Sequence, residues 1–187
     1  MRKLARGVES ARRRTLSRVR VMTLEAQFPT LQFRGRVLVG PACRIHAGQG
    51  SALVIGDCAI APFITLTVSP GVCLDVQGDF VGPGSQIVAR EPVEIGGGAK
   101  IAEYVTLRDA NHDRSVPLAE KRFISAPVVI GRDVWIGAES ATPAVVGVGG
   151  GVTVPPSADM TKDVLPGTGI GGVPAKKLCR HVEEAGA

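Results

Sequence analysis

A chain of 187 residues suits one domain, and 44% hydrophobic residues can fill a core, yet aromatics are only 4% while Gly and Pro number 24 and 13. That balance points away from a ring-filled globular core and toward a chain that turns a corner every few residues. No apolar run approaches the ~20 residues of a membrane span, and four scattered cysteines (Cys43, Cys58, Cys73, Cys179) with no C-x-x-C pair argue for reduced thiols rather than a disulfide framework.

The formal charge of +5 is unevenly placed. Residues 1–20 hold Arg2, Lys3, Arg6, Arg12, Arg13, Arg14, Arg18 and Arg20 against Glu9 alone, so the rest of the chain is slightly acidic. Residues 2–26 are predicted helical, with Leu4, Val8, Ala11, Thr15, Val19 and Met22 at helical spacing and arginines around the other side. Three readings fit a basic amphipathic helix at this place: a cap on the first turn of the adjoining domain, a peripheral contact with an anionic membrane surface, or nucleic-acid contact. No aromatic platform accompanies the charge, which speaks against nucleic acid. Residues 1–32 are read as this helix and its lead-in.

From Phe33 onward a six-residue beat of aliphatic residues emerges. Val39 and Ile45 share one phase, Ile60, Leu66 and Val72 another, and Val81, Ile87 and Val93 a third. Ile95, Ile101 and Leu107 follow, and after an interruption the beat falls on Ile130, Ile136, Thr142, Val148, Val154 and Met160. A period of six fits neither a helix nor an alternating strand. It is the signature of a parallel β-helix in which each repeat is one flat side of a triangular coil. The beat residue points inward, and the Gly that often follows it is expected to ease the corner. At about eighteen residues per turn, residues 33–160 make around seven coils. The even spacing of Cys43, Cys58 and Cys73 predicts small inward residues stacked in successive coils.

The segment 108–127 abandons the beat and carries His112. An excursion of this length from a compact solenoid marks a functional or disordered segment. The second regular run is eroded at Thr142-Pro143 and Pro155-Pro156. Residues 161–187 close the last coil, with a short helix expected from about Ala175. The domain is thus residues 33–187, an all-β, parallel β-helix with the loop 108–127 and a C-terminal cap over 161–187.

Three segments carry a family resemblance: IGRDVWIGA (Ile130–Ala138), TKDVLPGTGIGGVPAKK (Thr161–Lys177), and RDANHD (Arg108–Asp113) ahead of SAPVVIG (Ser125–Gly131). On these the chain resembles the hexapeptide-repeat, left-handed β-helix acyltransferases over about residues 35–180, most closely sugar O-acetyltransferases of the exopolysaccharide and colanic acid type. The resemblance implies a homotrimer, an active site between neighbouring prisms, acetyl-CoA as co-substrate with no metal required, and a saccharide or glycoside acceptor met in the cytoplasm.

His112 matches the family's catalytic histidine. An alcohol attacks a thioester readily only while it is losing its proton, and an imidazole with a reference pKa near ~6.5 can take that proton. Asp109 is the first choice for holding the ring's tautomer, with Asp113, Glu103 and Glu120 as further candidates. Asn111 can bond the acceptor or favour a turn. For the acyl donor the resemblance points to Trp135, to backbone amides around Gly137 and Ala138, then to Thr161 and Lys162, and to the turn of Pro174, Ala175 and Lys176. Arg180 stands one residue later than the family's arginine. Rival readings are an N-acetyltransferase acting on an amino sugar, a non-catalytic β-helix scaffold, and a carbonic anhydrase, whose three-histidine metal site the scattered His46, His112 and His181 do not suggest.

Overall fold

The structure, a computed structural model, describes residues 2–142 and 147–180, with no account of the side chains of 2–10, 118, 179 and 180. After one helix, Arg2–Gln27, the chain coils as a β-solenoid of about six turns. Three parallel sheets form its sides, and the whole fits the left-handed β-helix fold. The first side stacks Leu31–Arg34, Ala52–Gly56, Cys73–Val76, Val93–Ile95, Val128–Ile130 and Gly147–Val148. The second begins at Leu38–Val39 and runs to Thr153–Val154. The third runs from Arg44–Ala47 to Ala141–Thr142.

The beat explains the interior. Leu66, Ile87, Leu107 and Thr142 stand in register on the third side. Val39, Ile60, Val81, Ile101, Ile136 and Val154 stand in register on the second. All ten are buried. Each such aliphatic side chain contributes about 1.5–3 kcal/mol when taken from water. Three hydroxyls share the interior by bonding to backbone of an adjacent coil. Ser85 Oγ donates to Ala102 O at 2.9 Å, Ser140 Oγ to Pro155 O at 3.0 Å, and Thr142 Oγ1 accepts Arg108 N–H at 3.0 Å. A buried hydroxyl is tolerated when it is paired.

The coil count falls short of seven because the early coils are longer. Registered partners Val39, Ile60 and Val81 stand 21 residues apart, whereas Ile136 and Val154 stand 18 apart. The added residues lengthen the strands: four or five residues on the first side early on, two by Gly147–Val148. This also unstacks the cysteines. A spacing of 15 is not a whole coil, so Cys58 is buried in a corner, Cys43 is half-buried in another, and Cys73 opens a strand facing solvent.

The glycines after the beat serve close approach rather than corner conformation. A Cβ on Gly137 would sit 2.5 Å from Pro156 N in the next coil. Positive φ is taken further round the bend, as at Asp133 (φ 56°) and Gly98 (φ 75°), a region that costs glycine nothing and a short polar side chain little.

The helix covers the open first coil. Ser17 Oγ accepts Val39 N–H at 2.8 Å and Arg20 donates to Val39 O at 3.1 Å, so the edge strand's groups are paired by the helix. Leu24 and Phe28 pack on the core below. This packed side is the opposite of the expected apolar stripe: Thr15, Val19 and Met22 face solvent. At the far end the expected helix from Ala175 is instead a strand, Lys176–Arg180, antiparallel to Thr168–Gly171. The last coil's edge needs a hydrogen-bonding partner, and a chain reversing at Gly172–Ala175 supplies one that a helix would not. Residues 181–187, with His181 and the end of the proposed helix, lie outside the described residues, as do Pro143 to residue 146 of the eroded coil.

Candidate active site

The excursion leaves the third side after Thr106–Arg108 and rejoins the first at Val128–Ile130. Its two arms, Ala110–His112 and Phe123–Ser125, pair antiparallel with His112 opposite Phe123. Two anchors root this hairpin on one earlier corner, Arg90–Glu91. On the outgoing arm, Asp109 Oδ2 accepts short hydrogen bonds from the N–H groups of both Arg90 and Glu91. On the returning arm, Ser125 Oγ donates to Glu91 Oε1 at 2.9 Å. Asp109 is fully buried and its Oδ1 has no hydrogen-bond partner among the described residues. Burial therefore raises its pKa above the ordinary carboxylate value, although the two backbone N–H groups pull the other way.

This corrects the role expected of Asp109. Its carboxylate is turned into the root of the hairpin and makes no bond to the His112 ring. Asp113 is engaged elsewhere too: its Oδ1 accepts Ser115 N–H at 2.9 Å and Ser115 Oγ–H at 2.6 Å, which lowers its pKa. Glu120 faces Arg122 at 3.5 Å. The His112 ring is held instead by stacking. Its centroid lies 4.5 Å from that of Phe123, tilted 34°, and the Arg90 guanidinium carbon lies 3.8 Å from the same Phe123 centroid. Cross-strand aromatic pairs and a cation over a ring each contribute on the order of 0.5–1 kcal/mol. His112 is itself exposed. Asn111 is exposed beside it, its side-chain oxygen accepting the His112 N–H at 2.9 Å. Arg90, Glu91, Phe123 and Ser125 were not singled out in the sequence, since their roles appear only when the hairpin folds back on a corner laid down one coil earlier.

The other candidates fall into two places. Thr161, Lys162 and Lys176 line one groove of about 370 Å³ at the narrow end of the prism, with Met160, Ala175 and Lys177. Its three lysines, Lys162, Lys176 and Lys177, suit phosphates. Pro174 lies in the reversal that brings Lys176 there, after a cis Val173–Pro174 bond. Arg180 continues that strand opposite Thr168, and its side chain lies outside the described residues. Trp135 projects from the second side, 42% exposed. The Gly137 N–H itself is taken by Val154 O at 2.7 Å. Ala138 lies in the same corner, with its carbonyl accepting Ser157 N–H at 2.8 Å. His112 thus springs from the corner between the third and first sides, while Trp135 and the lysine groove lie on the second side and the end.

No protein-family model and no curated protein matches the sequence. Solved structures do match in fold. A mutant of AntD, an N-acyltransferase from Bacillus cereus, in complex with dTDP-4-amino-4,6-dideoxyglucose and coenzyme A, superimposes with TM-score 0.71 at 19% identity over 87% of this chain and 90% of that one. A galactoside acetyltransferase in complex with coenzyme A matches with TM-score 0.60 at 21% identity over 81% of this chain and 66% of that one. The polySia-specific acetyltransferase NeuO matches with TM-score 0.50 at 19% identity over 85% and 90%. At such identities the likeness establishes the fold.

Proposed function

We propose that the chain is an acetyl-CoA-dependent O-acetyltransferase acting on a hydroxyl of a saccharide or glycoside in the cytoplasm, with His112 as general base. The observation that carries this reading is the hairpin: a break in an otherwise regular solenoid, rooted on Arg90–Glu91, that holds one exposed imidazole against Phe123. The acceptor hydroxyl attacks the thioester carbonyl while His112 takes its proton. The tetrahedral intermediate then collapses, the C–S bond breaks, and the proton passes to the leaving CoA thiolate. The thioester is already activated, so no acyl-enzyme is required.

The separation of His112 from the lysine groove supports a homotrimer. Around a three-fold axis one copy's first–third corner meets a different side of its neighbour. The base of one copy can then serve an acyl donor seated along the next, with Lys162 and Lys176 on its phosphates and Trp135 beside the pantetheine arm.

N-acyl transfer to an amino sugar is the second reading, favoured by the likeness to AntD. The test is release of CoA thiol with paired hydroxyl and amino glycosides, using wild-type chain and His112→Ala. Turnover with hydroxyl acceptors, lost in the variant, supports the proposal. Turnover with amines alone supports the second reading. Absence of CoA binding by calorimetry in an intact oligomer rejects both and leaves a scaffold.

A further inference from the structure

The helix Arg2–Gln27 has two working sides. Ser17, Arg20, Leu24 and Phe28 turn toward the first coil. At 100° per residue, Ala11, Thr15, Val19, Met22 and Ala26 fall on the opposite side, and all five are exposed. Val19 and Met22 are 56% and 69% exposed, and Leu16 nearby is 43% exposed. The threonine hydroxyls on this half of the helix are satisfied internally. Thr15 donates to Ala11 O at 3.1 Å and Thr23 to Val19 O at 2.9 Å, so each can enter an apolar medium without leaving a donor unpaired. Arg12 and Arg18 flank the stripe on either side and are exposed. A cleft of about 780 Å³ opens between the helix and the first coils, walled by Arg13, Arg14 and Arg20 and floored by Leu38, Ile60 and Pro62.

We propose that this outward side of the helix docks on an anionic phospholipid surface, with the Val19–Met22 stripe at the acyl boundary and the flanking arginines among headgroup phosphates. A second copy of the helix is the poorer occupant. Two stripes bordered by Arg12 and Arg18 would bring like charges together, whereas a bilayer rich in anionic lipid answers both the charge and the apolar strip. Capping and docking do not compete, since they use opposite sides. In a three-fold assembly all three helices lie at the same end, so a single membrane plane can engage all of them and binding strengthens by avidity.

The test uses the full chain and vesicles of phosphatidylcholine alone or mixed with phosphatidylglycerol. Sedimentation with the mixed vesicles and not with the neutral ones is expected, together with release at high salt. Arg12→Gln/Arg18→Gln is expected to weaken that partition about tenfold or more. Val19→Gln/Met22→Gln should weaken it as well. Both double variants should keep the wild-type melting temperature, because Ser17, Arg20, Leu24 and Phe28 are untouched, and should keep turnover on a soluble acceptor. Equal binding to neutral vesicles, undiminished binding by both variants, or no binding by the wild type overturns the proposal. A change in oligomeric mass caused by Val19→Gln/Met22→Gln, with vesicle binding intact, shows the stripe to be a chain-to-chain contact instead. The vesicle result is independent of the proposed acyl transfer, so either can fail without the other.

Discussion

Thr142→Val separates the repeat pattern from the structure. By pattern, Thr142 is a lapse in an aliphatic column, and Val restores it. In the structure Thr142 is fully buried below Leu107 and its Oγ1 accepts the Arg108 N–H at 3.0 Å. Arg108 is the last residue of the strand before the chain leaves for the His112 hairpin. Val would gain on the order of 0.8 kcal/mol from one more buried methyl-sized group. It would take the Thr142 hydroxyl away from the part-buried Arg108 N–H, at a cost of about 1–3 kcal/mol. The net expectation is a loss of roughly 0.2–2 kcal/mol, read as a lower urea midpoint at unchanged m-value. Thr142→Ser keeps the acceptor and loses a methyl, so it also destabilises by about 1 kcal/mol. Amide exchange distinguishes the two variants: protection at Arg108 should fall in Thr142→Val and hold in Thr142→Ser. A Val variant as stable as wild type, with Arg108 still protected, would refute the reasoning.

His112→Ala should lower kcat by about 10²–10⁴-fold while CoA affinity by calorimetry stays at the wild-type value. Lys162→Ala and Lys176→Ala, which line the end groove, should raise KM for acetyl-CoA with a smaller change in kcat; a fall in kcat alone would place the donor elsewhere. Asp109 gives a pH signature. Its folded pKa lies above the ordinary carboxylate value of 3.8 because burial disfavours the charge. Between those two values the folded chain binds more protons than the unfolded one, so stability falls as pH rises through the window and levels off above it. Asp109→Asn should remove that slope, and thermal melts of both chains across acid pH would show it as a difference curve. Asp113, whose pKa is lowered by Ser115, acts in the opposite sense, which is why the difference and not the raw curve is diagnostic.

The solenoid was legible because a six-residue period has no competitor among ordinary elements, and because inward positions tolerate little besides aliphatics. Even the interrupted phases at Val39, Ile60 and Val81 proved to be one registered column. Coil length was less legible. An aliphatic beat marks the middle of a side and is silent about how far the strand runs on either side of it, which is where the early coils absorb their additional residues. The helix stripe misled in a related way: periodicity locates an apolar side but does not say whether the protein or something else will cover it. Here polar Ser17 and Arg20 won the inward side because an edge strand needs hydrogen-bonding groups more than it needs grease. The terminal strand was hidden because Lys176–Arg180 has no alternation of its own and is a strand only by virtue of Thr168–Gly171. At the candidate site, His112 stood out as a histidine at a break. Asp109 was assigned by nearness in sequence, whereas its partners, Arg90 and Glu91, lie nearly a coil away.

The shortening of the strands from one end to the other gives the prism a taper, broad under the helix and slim at the lysine groove. Stacked coils of uniform girth could in principle continue indefinitely, one molecule's last rung templating another's first. A tapered stack with a helical lid at the base and a folded-back strand at the tip offers mismatched ends, so fibre growth along the axis is blocked by geometry. Any self-association is then left to the flanks of the prism.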